Sequence, residues 1–310
     1  MVSAVFHSPR DLGDEPAATS KPAAVRRPTT AANEEAAPVT AAPKPAKPPR
    51  APIDWRNLVL SVVAPVLSLA LLVGLWAIAT QKGGSFPTPA ATWDAAVKLF
   101  SDPFYSHGPN DQGIGWNILN SLQRVGLGFG LAALVGIPLG FIIGRFDFAN
   151  RMISPLISLL KPVSPLAWLP IGLLVFKSAN PAAIWTIFIC SIWPMVVNTA
   201  VGVQRVPADY LNVARVLNLS EWKVITKVLL PAVLPYVLTG VRLSVGTAWL
   251  VIVAAEMLTG GVGIGFWVWD EWNNLNVAHI IIAIFVIGIV GLLLEWTLVS
   301  IAKRFSFAED

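Results

Sequence analysis

Four ionisable side chains lie inside long apolar runs of the sequence. Arg124 begins the second run, Arg242 and Glu256 lie in the fifth, and Glu295 lies in the sixth. A charge at membrane depth costs roughly 2.5 to 3.5 kcal/mol on insertion scales, so such residues face a cavity or a partner. Arg124, Arg242 and Glu256 are therefore candidates for lining an anion path. For each of the four, a structural ion pair or a snorkelling side chain is the commoner explanation.

The sequence contains no phosphate-binding run of the form Gly-x-x-x-x-Gly-Lys-Ser/Thr. The chain is therefore not expected to be an enzyme that hydrolyses ATP by itself. The run Gly260 to Gly265 is only superficially similar to a nucleotide fingerprint, because it follows an apolar run and lacks the required strand, loop and helix unit. It is predicted to be a flexible outer turn or gate.

Cysteine and histidine usage argues against metal sites and disulfides. The single cysteine, Cys190, lies inside an apolar run, which excludes an intrachain disulfide. His7, His107 and His279 are far apart in the sequence and lack metal-ligand spacing. No metal or other cofactor is predicted.

The composition is typical of a polytopic membrane protein. Of 310 residues, 55% are hydrophobic and 13% are charged, and the mean hydropathy is +0.65. The net charge of +4 is small and spread over tails and loops. It favours contact with anionic lipid, and binding to nucleic acid is not expected.

The apolar runs predict an all-α membrane protein with six spans. A Pro- and Ala-rich disordered cytoplasmic tail at 1–54 comes first, followed by an anchor helix at 55–81 and a periplasmic segment at 82–117. A five-span core occupies 118–304 and a short tail 305–310. Seven Lys and Arg residues from Arg10 to Arg50, and Lys303 with Arg304, place both termini in the cytoplasm.

Small residues and prolines distinguish two of these spans. The second span, 121–144, is rich in glycine, so close helix contacts and a central position are expected. A basic loop is predicted from Arg145 to Arg151. The third span, 154–176, contains four prolines and is predicted to be kinked or discontinuous.

The stretch 203–231 is a mostly polar interruption between the fourth and fifth spans. It predicts two short amphipathic helices joined at a turn, where Asn218 takes a left-handed conformation. One apolar face of the first helix is formed by Tyr210, Val213, Ala214 and Leu217. This face is expected to bind a cytosolic partner. An ordinary loop that packs on its own bundle is the alternative.

The same stretch resembles the coupling motif of ABC importer membrane subunits. That motif has Glu-Ala-Ala, three residues, Gly, nine residues, an apolar residue, any residue, then Leu-Pro, and its positions are filled here by Asn212, Val213, Ala214, Asn218, Val228, Leu230 and Pro231. Asn218 can hold the left-handed turn that glycine supplies. Asp209, one turn before Asn212, is a hypothetical substitute for the missing carboxylate.

Several further stretches are similar to the nitrate-type branch of these permeases, which also serves bicarbonate and cyanate and is related to sulfonate and taurine permeases. They are 162–170, 209–214, 253–258 and 261–270. In that branch the motif reads much like Asn-Val-Ala, so Asn212 becomes a mark of the subfamily. The resemblance covers about 57–304.

The resemblance implies a type I importer permease with the core fold of the methionine permease, located in the bacterial inner membrane. It implies partner ABC ATPase subunits docked on coupling helices within 204–231, a periplasmic substrate-binding protein, and a second permease copy. Nitrate is the favoured cargo over bicarbonate, cyanate and sulfonates. An ion-coupled secondary carrier, which would need no ATPase, and a membrane scaffold without transport activity are the rival functions.

Overall fold

The computed structural model describes residues 55–81 and 86–305. The predicted tail at 1–54, residues 82–85, and residues 306–310 of the predicted tail at 305–310 lie outside these ranges. Within them the chain is helical, with one isolated bridge between Ser106 and Gln112.

Eleven helices follow one another through the described ranges. Their bounds are α1 Trp55–Thr80, α2 Pro89–Leu99, α3 Ile114–Arg145, α4 Asp147–Leu160, α5 Pro165–Phe176, α6 Ala179–Gln204, α7 Ala208–Val216, α8 Glu221–Lys223, α9 Leu230–Thr259, α10 Ile264–Asn273 and α11 Val277–Phe305. A π-helical segment, Val224–Leu229, joins α8 to α9, so that one continuous helix runs over Glu221–Thr259.

Five helices are long and apolar enough to cross a membrane: α1, α3, α6, the continuous helix α8–α9, and α11. Helices α4 and α5 meet at a bend of 100°, and they make a sixth span only if the bent pair is counted as one broken span. The predicted break in the third span is thus confirmed. It falls after Lys161 and before Pro165, which begins α5 at a position where its missing N–H costs nothing.

The predicted basic loop from Arg145 to Arg151 is wrong, because only Phe146 separates α3 from α4. Arg145 lies in the last turn of α3 and Asp147 in the first turn of α4, where each charge suits the helix dipole. Arg145 and Asp147, both within the predicted loop, are thus helix-end charges in the fold, and Arg151 lies within α4.

Helix α6 is the centre of the bundle. Of its apolar window 61% is buried, against 33% for α3 and 28% for the continuous helix α8–α9. The glycines of α3 permit its close approach to α6: an added Cβ at Gly128 would lie 2.7 Å from Ile187, and one at Gly136 would lie 3.1 Å from Ile192. The predicted close packing of this span is confirmed, although the central position belongs to α6.

Two buried clusters position the functional elements. At the end of the bundle that the charge pattern predicts to be outer, Ile252 of α9, Ile264 of α10 and Ile187 of α6 share one apolar cluster. At the opposite end, predicted to be inner, Ala214 of α7 packs with Val224 and with Val233 of α9. The names outer end and inner end follow this prediction. The outer loops and the inner polar segment therefore both rest on the same pair of helices, α6 and α9.

The glycine contact between α3 and α6 can be tested with a matched pair of variants. Gly128→Ala is expected to destabilise the protein by about 1–3 kcal/mol, because its new methyl group would overlap Ile187. Gly130→Ala places the same methyl group where nothing lies within 4 Å, and should be neutral or slightly stabilising because Ala favours helix. Thermal unfolding of the purified protein compares the two, and equal midpoints would contradict the close approach.

Candidate functional site

A buried carboxylate holds the outer end of the bundle together. Glu256, in the last turn of α9, is 1% exposed. Its Oε1 accepts a hydrogen bond from Arg124 Nη1 at 2.6 Å, and its Oε2 accepts from Ser121 Oγ at 2.8 Å and from the Gly265 N–H at 3.0 Å. Two predicted path residues, Arg124 and Glu256, therefore form an ion pair with each other.

Further hydrogen bonds tie this pair to the glycine-rich run. Arg124 Nη1 also donates to Val262 O at 2.8 Å, and its Nε donates to Asn180 Oδ1 at 2.7 Å. Asn117 Oδ1 accepts from the Gly263 N–H at 2.8 Å. We call the set Asn117, Ser121, Arg124, Asn180 and Glu256 the outer polar cluster. It connects α3, α6 and α9 to the segment that precedes α10.

The glycine-rich run forms a turn, as predicted. Gly260 and Gly261 have φ values of 78° and 91°, in the left-handed region that favours glycine. Gly265 lies so close to α9 that an added Cβ would come within 2.9 Å of the Glu256 Cβ. The first two glycines thus permit a tight turn, and Gly265 permits close packing against Glu256.

The third predicted path residue, Arg242, lies apart from the outer polar cluster. Its Nε donates to Glu295 Oε1 at 2.9 Å and its Nη2 donates to the same oxygen, which joins α9 to α11. The two side chains are 55% and 46% exposed, whereas those of Arg124 and Glu256 are 14% and 1% exposed. The sequence indicated all four ionisable side chains within the spans, but it did not indicate which of them pair with each other.

The predicted apolar face of α7 divides between two environments. Tyr210, Val213 and Leu217 are 55%, 58% and 64% exposed, while Ala214 is 2% exposed and packs in the inner cluster. The assignment of Ala214 to the docking face is therefore wrong. A nine-residue helix resting on the bundle must turn one side inward, and the smallest apolar residue allows the closest contact.

Further exposed residues lie at the C-terminal end of α7 and beyond it. Val216 is 85% exposed, and Asn218 adopts the predicted left-handed conformation with φ of 49°. The predicted coupling residues Asp209, Asn212, Leu230 and Pro231 are also exposed. The exposed residues of this segment are thus a mixture of apolar and polar side chains.

The predicted second short helix is not separate. It begins after Ser220 and continues through the π-helical segment into α9. Pro231 lacks the N–H that would bond one turn back, and a wider π-helical turn accommodates a proline without ending the helix. One continuous helix therefore links Glu221 to Thr259 at the other end of α9.

An additional ion pair at the inner end was not predicted. Arg145 Nη2 donates to Glu221 Oε1 at 2.9 Å, and Arg145 Nε donates to Glu221 Oε2 at 3.1 Å. This bidentate contact fixes the inner end of α3 to the start of α8. Both residues are charged helix-end residues in the sequence, but their separation of 76 positions hides the contact.

On the outer side, α10 is fixed to α11. Glu271 Oε1 lies 3.0 Å from His279 Nδ1, and the His279 ring stacks on the Trp267 indole. The outer helix is thus held both by the outer polar cluster at its start and by His279 near its end.

Comparison with known families and proteins identifies close relatives. The family model described as "Binding-protein-dependent transport system inner membrane component" matches residues 136–307. The nitrate import permease protein of Synechocystis sp. is 46% identical over 235 residues, which are 76% of this chain and 86% of that protein. The nitrate import permease protein of Leptolyngbya laminosa is 47% identical over 77% of this chain and 85% of that protein.

A relative with another named cargo and a solved structure complete the comparison. The bicarbonate transport system permease protein of Synechococcus elongatus is 42% identical over 78% of this chain and 88% of that protein. An inward-facing structure of the MetNI methionine ABC transporter has a chain that matches at a TM-score of 0.55 and 14% identity, covering 61% of this chain and 94% of that one. The last likeness concerns the fold.

The outer polar cluster predicts an asymmetric response to charge removal. Arg124→Met leaves the buried Glu256 carboxylate unpaired and should lower the free energy of unfolding by about 3–5 kcal/mol. Adding Glu256→Gln in the same chain keeps the acceptor for Gly265 but removes the unpaired charge. The double variant should therefore unfold at a higher temperature than Arg124→Met alone, and the opposite order would contradict a buried ion pair.

Proposed function

Since this chain belongs to the family of binding-protein-dependent transport system inner membrane components, in the branch of the nitrate and bicarbonate permeases, we propose that it is the membrane-spanning subunit of an ATP-driven importer of nitrate. The observation that carries the choice of nitrate is the identity of 44% to 47% with three nitrate import permeases, against 42% with the bicarbonate permease. Bicarbonate, cyanate and sulfonates are the alternative cargoes.

The exposed side of α7 is suited to bind a separate subunit that hydrolyses ATP. Tyr210, Val213, Val216 and Leu217 expose apolar side chains on one side of α7, and an apolar patch rimmed by polar groups is typical of a protein interface. An ABC ATPase subunit is the proposed occupant. The chain is thus a transport subunit, with hydrolysis carried out by that partner.

The fold suggests how closure of the ATPase subunits would reach the membrane. Ala214 on the inner side of α7 packs against Val224 and Val233, at the base of the continuous helix α8–α9. The same helix carries Arg242 at mid-depth and Glu256 at the outer polar cluster. Displacement of α7 would therefore move the inner and outer ends of α9 together, because a packed helix moves as a rigid element.

The remaining partners follow from exposed surfaces and topology. The spanning window of α1 is 0% buried in the single chain, which supports contact with lipid and with a second permease copy in a homodimer. A periplasmic substrate-binding protein would deliver the anion to the face formed by α2 and α10. The termini would then lie in the cytoplasm, and the chain in the inner membrane.

A charge on the exposed side of α7 should prevent ATPase docking. Val213→Asp is expected to reduce ATPase co-purification by at least about tenfold, the effect of losing roughly 1.4 kcal/mol of contact energy. Val97→Asp on α2, where Val97 is 56% exposed, is the matched control with the same change on the outer side. Retention of ATPase by Val213→Asp at the level of the control would contradict the assignment.

Transport itself distinguishes the candidate functions. Cells that carry this permease with a partner ATPase unable to hydrolyse ATP should lose nitrate uptake. An ion-coupled carrier would keep it, and a scaffold would show no flux in either strain. Competition with bicarbonate, cyanate and taurine then identifies the cargo, and uptake blocked by taurine but not by excess unlabelled nitrate would overturn the choice of nitrate.

A further inference from the structure

The face formed by α9 and α11 carries the Arg242–Glu295 ion pair at membrane depth. At 1.5 Å per residue, Arg242 lies about 18 Å from the start of α9 and Glu295 about 15 Å from the end of α11. Both side chains are nevertheless about half exposed in the single chain. Placing half-exposed charged side chains against lipid acyl chains costs free energy. We therefore expect this face to border water or another protein surface in the assembled complex.

Two grooves lie beside α9 and share lining residues, and we call the two together the track. The inner groove has a volume of about 310 Å³ and runs along the inner halves of α9 and α11, between Pro235 and Ile301. The outer groove has a volume of about 490 Å³ and extends to Leu250 and Gly291. Thr239 and Arg242 line both grooves. Arg242 is the only positively charged residue that lines either one among the described residues.

The Arg242 guanidinium keeps donors that Glu295 does not use. Nε and Nη2 both donate to the same carboxylate oxygen, Oε1. Among the described residues no acceptor bonds to Nη1, so the edge formed by Nη1 and Nη2 retains three of the five N–H groups of a guanidinium. Two parallel N–H groups on that edge match two oxygens of a planar oxyanion.

We propose that Arg242 is the contact of the transported anion within this track, and that Glu295 is the counter-charge that competes with the anion for it. This inference rests on the proposed function and specifies a site for it. The class of ligand is a small monovalent oxyanion that can present two oxygens to one guanidinium edge. Arg124 does not fit this role, because Glu256 and Val262 bind both N–H groups of its Nη1 and Asn180 binds its Nε, so neither edge keeps two parallel free donors. Its side chain is also only 14% exposed.

Glu295 supplies the weak binding that passage requires. An isolated guanidinium in a medium of low dielectric constant would hold an anion too firmly for release, whereas conduction needs a site that the ion can also leave. Since Glu295 already contacts Nε and Nη2, it returns to full contact as the anion departs. Arg242 therefore has a counter-charge at every stage, Glu295 alone before the anion arrives and the anion beside Glu295 while it is bound.

The complete complex, with ATPase subunits and binding protein, tests the assignment in proteoliposomes supplied with ATP and labelled nitrate. The double variant Arg242→Leu with Glu295→Leu removes both charges, a change that leaves folding nearly neutral or improves it. We expect its uptake to fall at least about tenfold, as for the loss of a charge-assisted hydrogen-bonded contact. Complex yield and ATP hydrolysis stimulated by the binding protein should remain. Uptake at the wild-type rate would show a purely structural pair and overturn the inference.

Two single variants keep the test decisive if the double variant does not assemble. Arg242→Lys retains the charge but lacks the two-donor edge, so uptake should fall; unchanged uptake overturns the inference. Glu295→Gln removes the competitor, so both KM and kcat for nitrate should decrease, and an unchanged KM contradicts the role of Glu295. Leu292→Ala, at a residue of α11 that is 67% exposed and outside both grooves, is the control with wild-type uptake.

Uptake by the wild-type complex distinguishes failure of the nitrate assignment from failure of the Arg242 site. If it takes up no nitrate, the proposed cargo is wrong and this inference is lost with it. If it takes up nitrate and the Arg242 variants do so equally well, the importer assignment stands and the anion contact lies elsewhere.

Discussion

Charge inside a membrane must be compensated, and α9 carries one member of two ion pairs that do this. Glu256 near its outer end is paired with Arg124 of α3, and Arg242 at mid-depth is paired with Glu295 of α11. The two pairs differ in burial and in their remaining hydrogen-bonding capacity. The enclosed pair, bonded to the glycine-rich run, fixes the outer end of the bundle, whereas the half-exposed pair retains donors toward a groove.

The continuous helix from Glu221 to Thr259 gives these pairs a common mechanical support. At its inner end the Arg145–Glu221 contact and the packing of Ala214 attach it to α3 and α7. Along its length it packs on α6, the most buried helix of the described bundle. One helix therefore connects the inner surface with the Arg242–Glu295 pair and with the outer polar cluster.

Local sequence signals predicted most of the helices and several of their irregularities. Four prolines predicted the break between α4 and α5, Asn218 predicted the left-handed turn after α7, and the glycines of α3 predicted close helix contacts. Errors arose where one local signal had two physical outcomes. The charged stretch from Arg145 to Arg151 was predicted to be a loop, but Arg145 ends α3 and Arg151 lies within α4. The second short amphipathic helix was predicted to be separate, but a π-helical segment joins it to α9.

The sequence by itself determined that the chain is an α-helical membrane protein, which of its residues are charged within the spans, and where its amphipathic inner segment lies. These properties follow from hydropathy, charge and spacing along one chain, all of which are local. Only the tertiary structure decided that Arg124 pairs with Glu256, that Arg242 pairs with Glu295, and that Ala214 faces inward while Val213 faces outward. Pairing joins residues up to 132 positions apart, and it depends on which helix faces meet, a relation that no local pattern contains.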